Sequence, residues 1–273
     1  MSYLENVCDQ GPTTIIHPTP WTGIGTALFV YLAKVGTLAR QRALVKNLSL
    51  VGKSEEIQNQ LKTDLVESAR DTEAALLAFR APSKDRVEDT GDPSTPLKHL
   101  QQLVQVYRLS ALLELYRNFP ALLNGQVGAL SEEPAPAHKI LALTTAILTT
   151  IATIPQTSGV NSLLTLPLII AGSTLQSTIK STPRQFREGS WAILSDDIVS
   201  LSSQDDVQLY WRNFVRSRLQ AIRDYVGIAT VSRAIEIVEK VWTRCDMQAL
   251  SLPMEFIQWI DVMVDEKLEA IFG

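Results

Sequence analysis

Within residues 231–245, Val231, Ala234, Ile235, Val238, Val241, Trp242 and Cys245 recur at steps of three and four, with Arg233, Glu236, Glu239 and Lys240 between them. A strand alternates its faces at every residue, whereas a helix returns to the same face after three or four. This stretch therefore folds as a helix with one buried face. Phe256, Ile260, Met263, Val264 and Leu268 repeat the pattern, and so do Val207, Trp211, Phe214, Val215, Ile222 and Val226. The last group follows Ser203, Asp205 and Asp206, whose charges suit the positive end of a helix. Thr95 and Pro96 open a further helix as cap and first-turn proline, running to Phe119. Earlier helices are expected over 25–48 and 54–80.

No segment alternates in the manner of a strand, and no internal repeat is visible. The expected fold class is all-α, a single irregular multi-helix domain over residues 1–273. Mobile connections are expected near 82–94 (PSKDRVEDTGDPS, from Pro82) and 131–136 (SEEPAP), where charge, proline and glycine replace apolar residues.

The most apolar part, SLLTLPLIIAGSTLQST from Ser162 to Thr178, contains Pro167. Proline is tolerated in the first turn of a helix and breaks its interior. A helix is therefore expected to begin just before Pro167, capped by Ser162 or Thr165. The small Ala171 and Gly172 would let another helix approach closely. The apolar runs Ile140–Ile154 and Leu163–Gly172 are each shorter than the roughly 20 residues that cross a bilayer. They read as buried helices, and no membrane partner is expected.

A net charge of −4 gives little drive toward nucleic acid, and two cysteines, Cys8 and Cys245, exclude a disulfide framework or a cysteine-rich zinc site. That usage fits a reducing compartment, nuclear or cytoplasmic. His17 lies in a proline-rich turn, His99 near a helix start among polar residues, and His138 after SEEPAP. None has an acidic residue at metal-ligand or triad spacing, and each reads as structural, with His99 solvated. Asp196-Asp197 lacks a third carboxylate, Asp205-Asp206 decorates a helix start, and Asp265-Glu266 with Glu269 lies on a lysine-containing turn. There is no glycine-rich phosphate loop after a strand and no serine in a G-x-S-x-G context. No cofactor and no metal are expected. Arg212, Arg216 and Arg223 share a helix side opposite Trp211 and read as a solvated face.

Several stretches, in order, resemble the helical regulatory domain of fungal zinc-cluster transcription factors, the fungal-specific transcription factor domain, in its arginine-catabolism-regulator-like branch. They are His17–Gly23 (HPTPWTG), Lys34–Arg42 (KVGTLARQR), Tyr107–Arg117 (YRLSALLELYR), Ile151–Pro155 (IATIP), Leu166–Gly172 (LPLIIAG), Val241–Asp246 (VWTRCD), and Trp259 with Asp261, Val262 and Met263. Relative to that family the chain lacks the six-cysteine cluster that reads DNA. It is also expected to begin inside the regulatory domain, without the helices that precede the Pro-Trp-Thr-Gly segment. Direct nucleic-acid binding is not expected.

The resemblance implies a module that receives effector signals. The leading reading is a non-enzymatic regulatory module acting through protein partners of a transcription complex, with a small apolar metabolite as effector and oligomerisation left open. The alternative is a cofactor-independent cyclase or isomerase of an apolar secondary metabolite on the same scaffold. The candidate ligand-binding residues are Tyr107, Tyr116, Trp191, Trp211 and Arg212, with a cavity expected among the helices of Tyr107, Trp191 and Trp211 and closed partly by LPLIIAG. Trp242 is expected to be packing.

Overall fold

The computed structural model describes residues 15–50, 55–124, 136–176, 204–248 and 256–269. The fold is all-α. Its helices are α1 (Thr26–Leu50), α2 (Glu55–Ala78), α3 (Leu97–Asn118), α4 (Ala121–Asn124), α5 (Pro136–Ala152), α6 (Thr165–Gly172), α7 (Gln204–Val226), α8 (Ala229–Gln248) and α9 (Trp259–Asp265). Strand-type pairing among the described residues is limited to the isolated bridges Ile16–Val87 and Thr19–Gly23.

The chain divides into two compact units. Unit one comprises Met1–Ile147 with Thr157–Val160, and unit two comprises Leu148–Gln156 with Asn161–Gly273. In unit one, α1 and α2 pack on each other and both pack on α3. The buried core of this unit takes Leu28, Val35 and Leu38 from α1, Ala69 and Leu76 from α2, and Leu103, Val106 and Tyr107 from α3. Every residue of α3 from Ser110 to Asn118 is buried, as suits a helix apolar on most of its circumference.

α3 begins differently from the sequence expectation. Pro96, not Thr95, is its N-cap. The Thr95 hydroxyl donates instead to Asp92 Oδ2 at 2.7 Å, and that carboxylate also accepts from Ser94. Residues 82–94 carry a 3-10 turn at Lys84–Arg86. The stretch is joined to Ile16 by the Ile16 N–H to Arg86 O bond of 2.7 Å and the Glu88 N–H to Ile16 O bond of 3.0 Å. The connection near 131–136 lies outside the described residues apart from Pro136, the first residue of α5.

In unit two, α6, α7 and α8 pack pairwise, and α9 packs on α8. Pro167 occupies the first turn of α6, where no intrahelical N–H bond is lost. The N-cap is Leu164, not Ser162 or Thr165. A Cβ placed on Gly172 would lie 2.9 Å from Val215 Cγ1 and 3.4 Å from Val238 Cγ1. Only glycine permits that approach, as the small-residue pattern implied. The α8 stripe runs through Val231, Ala234, Ile237, Val238, Val241, Trp242 and Cys245. Ile237 holds the buried place expected for Ile235, because α8 turns that side toward its neighbours. Near the C-terminus, Phe256 and Val264 are exposed, while Trp259 and Val262 form the buried face. α9 stops after Asp265, with Lys267 at a φ of 55°. There Leu268 N–H reaches Met263 O at 2.9 Å and Lys267 N–H reaches Val264 O at 3.2 Å. These are the paired bonds of a left-handed C-terminal cap.

Candidate functional site

The expected site residues fall as follows. Tyr107 is buried in unit one, its ring 4.4 Å from that of Phe29. Tyr116 donates its hydroxyl to Glu73 Oε1 at 2.7 Å. Burial raises the pKa of both phenols, and the Glu73 charge and hydrogen bond add to the effect on Tyr116. Trp191 lies outside the described residues. Trp211 is buried in unit two, edge-on to Tyr210 and Phe214 at 5.2 and 5.5 Å. Its indole Nε1 is buried without a hydrogen-bond partner.

Arg212 is fully engaged within unit two. Its Nε donates to Leu175 O at 2.9 Å, its terminal nitrogens hold both Asp246 carboxylate oxygens at 2.9 Å, and its guanidinium lies 5.3 Å from the Trp242 ring centre. Arg216 lies 5.5 Å from the same ring and holds Glu239. Arg212 and Arg216 thus form a docking seam onto α8 rather than a solvated face, whereas Arg223 pairs with its neighbour Asp224 at the surface.

The histidines take structural places. His17 pairs with Glu88, and His138 lies exposed in the first turn of α5. His99 is half-buried rather than solvated, its Nδ1 2.9 Å from the buried Ser158 Oγ. With Ser158 enclosed and no described carboxylate on His99, the pair fastens residues 157–160 to the start of α3. Asp265 and Glu266 are counter-ions to Arg244, and Glu266 also to Lys240. No cluster of metal-binding side chains occurs among the described residues.

The residue that sequence reasoning missed is Arg218. Trp211, Val215, Leu219 and Ile222 are the buried apolar stripe of α7, and Arg218 sits within it, only 4% exposed. Its Nη2 donates to Ile154 O at 2.5 Å and to Asn161 Oδ1 at 2.7 Å. Asn161 is oriented for this, because its Nδ2 donates to Pro155 O and Gln156 O, each at 2.8 Å. Arg218 Nε is buried with no acceptor. No carboxylate pairs with this guanidinium among the described residues.

Taking such a group out of water costs on the order of several kcal/mol, normally offset by a carboxylate and a full set of hydrogen bonds. Two carbonyl-type acceptors on one nitrogen offset part of it, since a guanidinium carries five N–H donors. Burial lowers the Arg218 pKa, yet arginine remains charged at neutral pH. Beside it lies a shallow, solvent-open recess with room for about one water molecule, lined by Gln156, Asn161, Arg218, Ala221, Ile222 and Tyr225.

A second feature lies in unit one. Thr19 and Gly23 exchange backbone hydrogen bonds of 2.9 Å in both directions. The hydroxyls of Thr19 and Thr22 meet at 2.6 Å, and that of Thr22 continues to Thr26 at 2.9 Å. Gly23 has a φ of 56°, and a Cβ there would press on Leu100 and Leu103 at 3.1 and 3.3 Å. The turn is thereby fixed, and it holds Trp21 71% exposed.

This turn is the HPTPWTG segment. The profile of the family described as fungal specific transcription factor domain matches residues 1–273. The chain belongs to that family. No curated protein and no solved structure matches it. The family assignment makes this a transcription-factor regulatory domain, and two cysteines cannot supply a zinc cluster within it. No described helix is long and apolar enough to cross a membrane.

Proposed function

We propose that this fungal specific transcription factor domain is a regulatory module that acts through protein contacts in the nucleus and responds to a small molecule. The family membership supports the regulatory role. Trp21 supports the protein contact. A large aromatic held in a rigid turn and exposed to solvent suits an interface anchor, because binding it costs little conformational entropy.

The test is a reporter assay with the whole chain fused to a heterologous DNA-binding domain in a fungal host. The fusion shifts reporter transcription up or down, and Trp21→Ala diminishes that shift at unchanged protein level and melting temperature. A folded, nuclear fusion that neither activates nor represses overturns the regulatory reading.

A further inference from the structure

Residues 79–83 join the end of α2 to the 3-10 turn at Lys84–Arg86 without regular secondary structure. Ser83 stands last in this stretch, exposed and extended, with φ −70° and ψ 156°. The other hydroxyls of the connection hold it together. Thr90 donates to Thr95 O, and Ser94 and Thr95 both donate to Asp92. Ser83 makes no side-chain bond to the turn it precedes, and its hydroxyl is left to solvent.

Positive charge predominates around this hydroxyl. Arg80 lies three positions before Ser83, Lys84 follows it and Arg86 comes three positions after, against the one carboxylate of Asp85. Arg80 and Lys84 are exposed. The Arg80 guanidinium rests on the carbonyl oxygens of Leu77 and Phe79, at 2.7 and 3.0 Å. Those acceptors are neutral, so a charged acceptor displaces them readily.

Protein kinases choose substrates partly by charge pattern. An acidic groove in the kinase reads an arginine three positions before the accepting serine, in a stretch of chain that is exposed and extended. We propose that Ser83 is a phosphorylation site for an arginine-directed serine kinase. Ser83 Oγ attacks the γ-phosphorus of ATP, the new Oγ–P bond forms as the bond to ADP breaks, and the hydroxyl proton passes to the kinase's base. The product carries a charge of about −1.5 to −2 at neutral pH, between Arg80 and Lys84. That charge also arises close to the Trp21 segment. Arg86 N–H donates to Ser83 O at 3.1 Å, and Arg86 O accepts from Ile16 N–H at 2.7 Å. The site does not depend on the regulatory reading of the domain, but it would give that domain a covalent input.

The experiment uses the purified full chain with the catalytic subunit of a cyclic-AMP-dependent protein kinase and magnesium ATP. Cleavage after glutamate releases the peptide Ala74–Glu88, in which Ser83 is the only hydroxyl-bearing side chain. Mass spectrometry therefore assigns a phosphate on this peptide to Ser83 without ambiguity. One phosphate is expected there in the folded chain, and none in Ser83→Ala, which is expected to melt as the unmodified chain does. Arg80→Gln is expected to lower kcat/KM for the labelling at least tenfold, and melting temperature checks that this variant is folded. The same phosphopeptide is expected from the reporter fusion recovered from the fungal host.

The site is overturned by an unlabelled peptide, by labelling confined to the heat-unfolded chain, by unaltered labelling of folded Arg80→Gln, or by its absence from the fusion in the host. Reporter output is scored separately. An active reporter without phosphate removes the site alone, and a silent reporter with phosphate on Ser83 removes the regulatory reading alone.

Discussion

The indole Nε1 of Trp242 donates to the carbonyl oxygen of Gly172 across 2.9 Å, joining the middle of α8 to the end of α6. The same carbonyl accepts Leu175 N–H at 3.0 Å, so it keeps one partner if the indole is removed. Trp242→Phe is therefore expected to cost only the net value of a hydrogen bond, about 0.5–1.5 kcal/mol. Trp242→Ala also opens a cavity among Gly172, Arg212 and Arg216, and a loss of about 3–5 kcal/mol is expected. Urea midpoints with unchanged slopes measure both. Equal losses in the two variants would contradict a packing role.

Two glycines should respond in opposite directions to alanine. At Gly172 the added methyl meets Val215 at 2.9 Å in a packed interior, so Gly172→Ala is expected to destabilise by about 1–3 kcal/mol. Gly36 sits exposed inside α1 with nothing within 4 Å of its added Cβ. Gly36→Ala gains helix propensity without a clash, and a stabilisation of about 0.5–1 kcal/mol is expected. Chemical denaturation of both variants reads the sign directly.

These residues show how much of the molecule was legible beforehand. The spacing along α8 gave the helix and its inner face, erring only between Ile235 and Ile237, which flank the buried stripe on opposite sides, and spacing alone does not tell which flank a neighbour covers. Pro167 located the start of α6, and the small residues located its close approach, because both arguments are local sterics. Arg218 was equally legible in principle. It continues the three-and-four series of Trp211, Val215 and Ile222, and was overlooked because arginine is ordinarily assigned to solvent by residue type. Asn161 was not legible, since its role depends on a partner 57 positions away. Likewise, the Arg212 and Arg216 seam depends on where α8 places Trp242, which no spacing within α7 encodes.

The buried phenols give the alkaline limit of the fold. An unfolded tyrosine ionises near 10.0, whereas Tyr107 and Tyr116 are held well above that value. Because the folded chain favours the protonated form, their contribution is present below pH 10.0 and declines as the pH rises through that value. Phenolate absorbance from these two residues is therefore expected to grow only with unfolding. In Tyr116→Phe the Glu73 carboxylate loses its donor, with an expected loss of about 1.5–3 kcal/mol at neutral pH, the range for a hydrogen bond to a charged group. Early, non-cooperative ionisation of both phenols would contradict their burial.

The acidic limit is set at the contact of α8 with α9. Glu266 accepts from Arg244 at 2.8 Å and from Lys240 at 3.1 Å, and Arg244 also holds Asp265 at 2.9 Å. The hydrogen bonds from Arg244 and then Lys240 hold the Glu266 carboxyl below its ordinary value of 4.5. The Asp265 and Glu266 bonds in turn raise the Arg244 pKa. A depressed carboxyl contributes stability above its unfolded value and loses it as the pH falls through the folded one. The docking of α9 is therefore expected to weaken below pH 4.5, before the rest of unit two unfolds. Hydrogen exchange at the amides of Val262 and Glu266, which close the turns of α9, follows this directly. Both amides should exchange faster at pH 3 than the α8 core, once intrinsic rates are accounted for. Glu266→Gln should show the same weakening already at neutral pH, and high salt should reduce the difference between the two chains, because these charges are partly exposed. Protection of α9 that is indifferent to pH, salt and Glu266→Gln would mean that Trp259 and Val262 alone hold it in place.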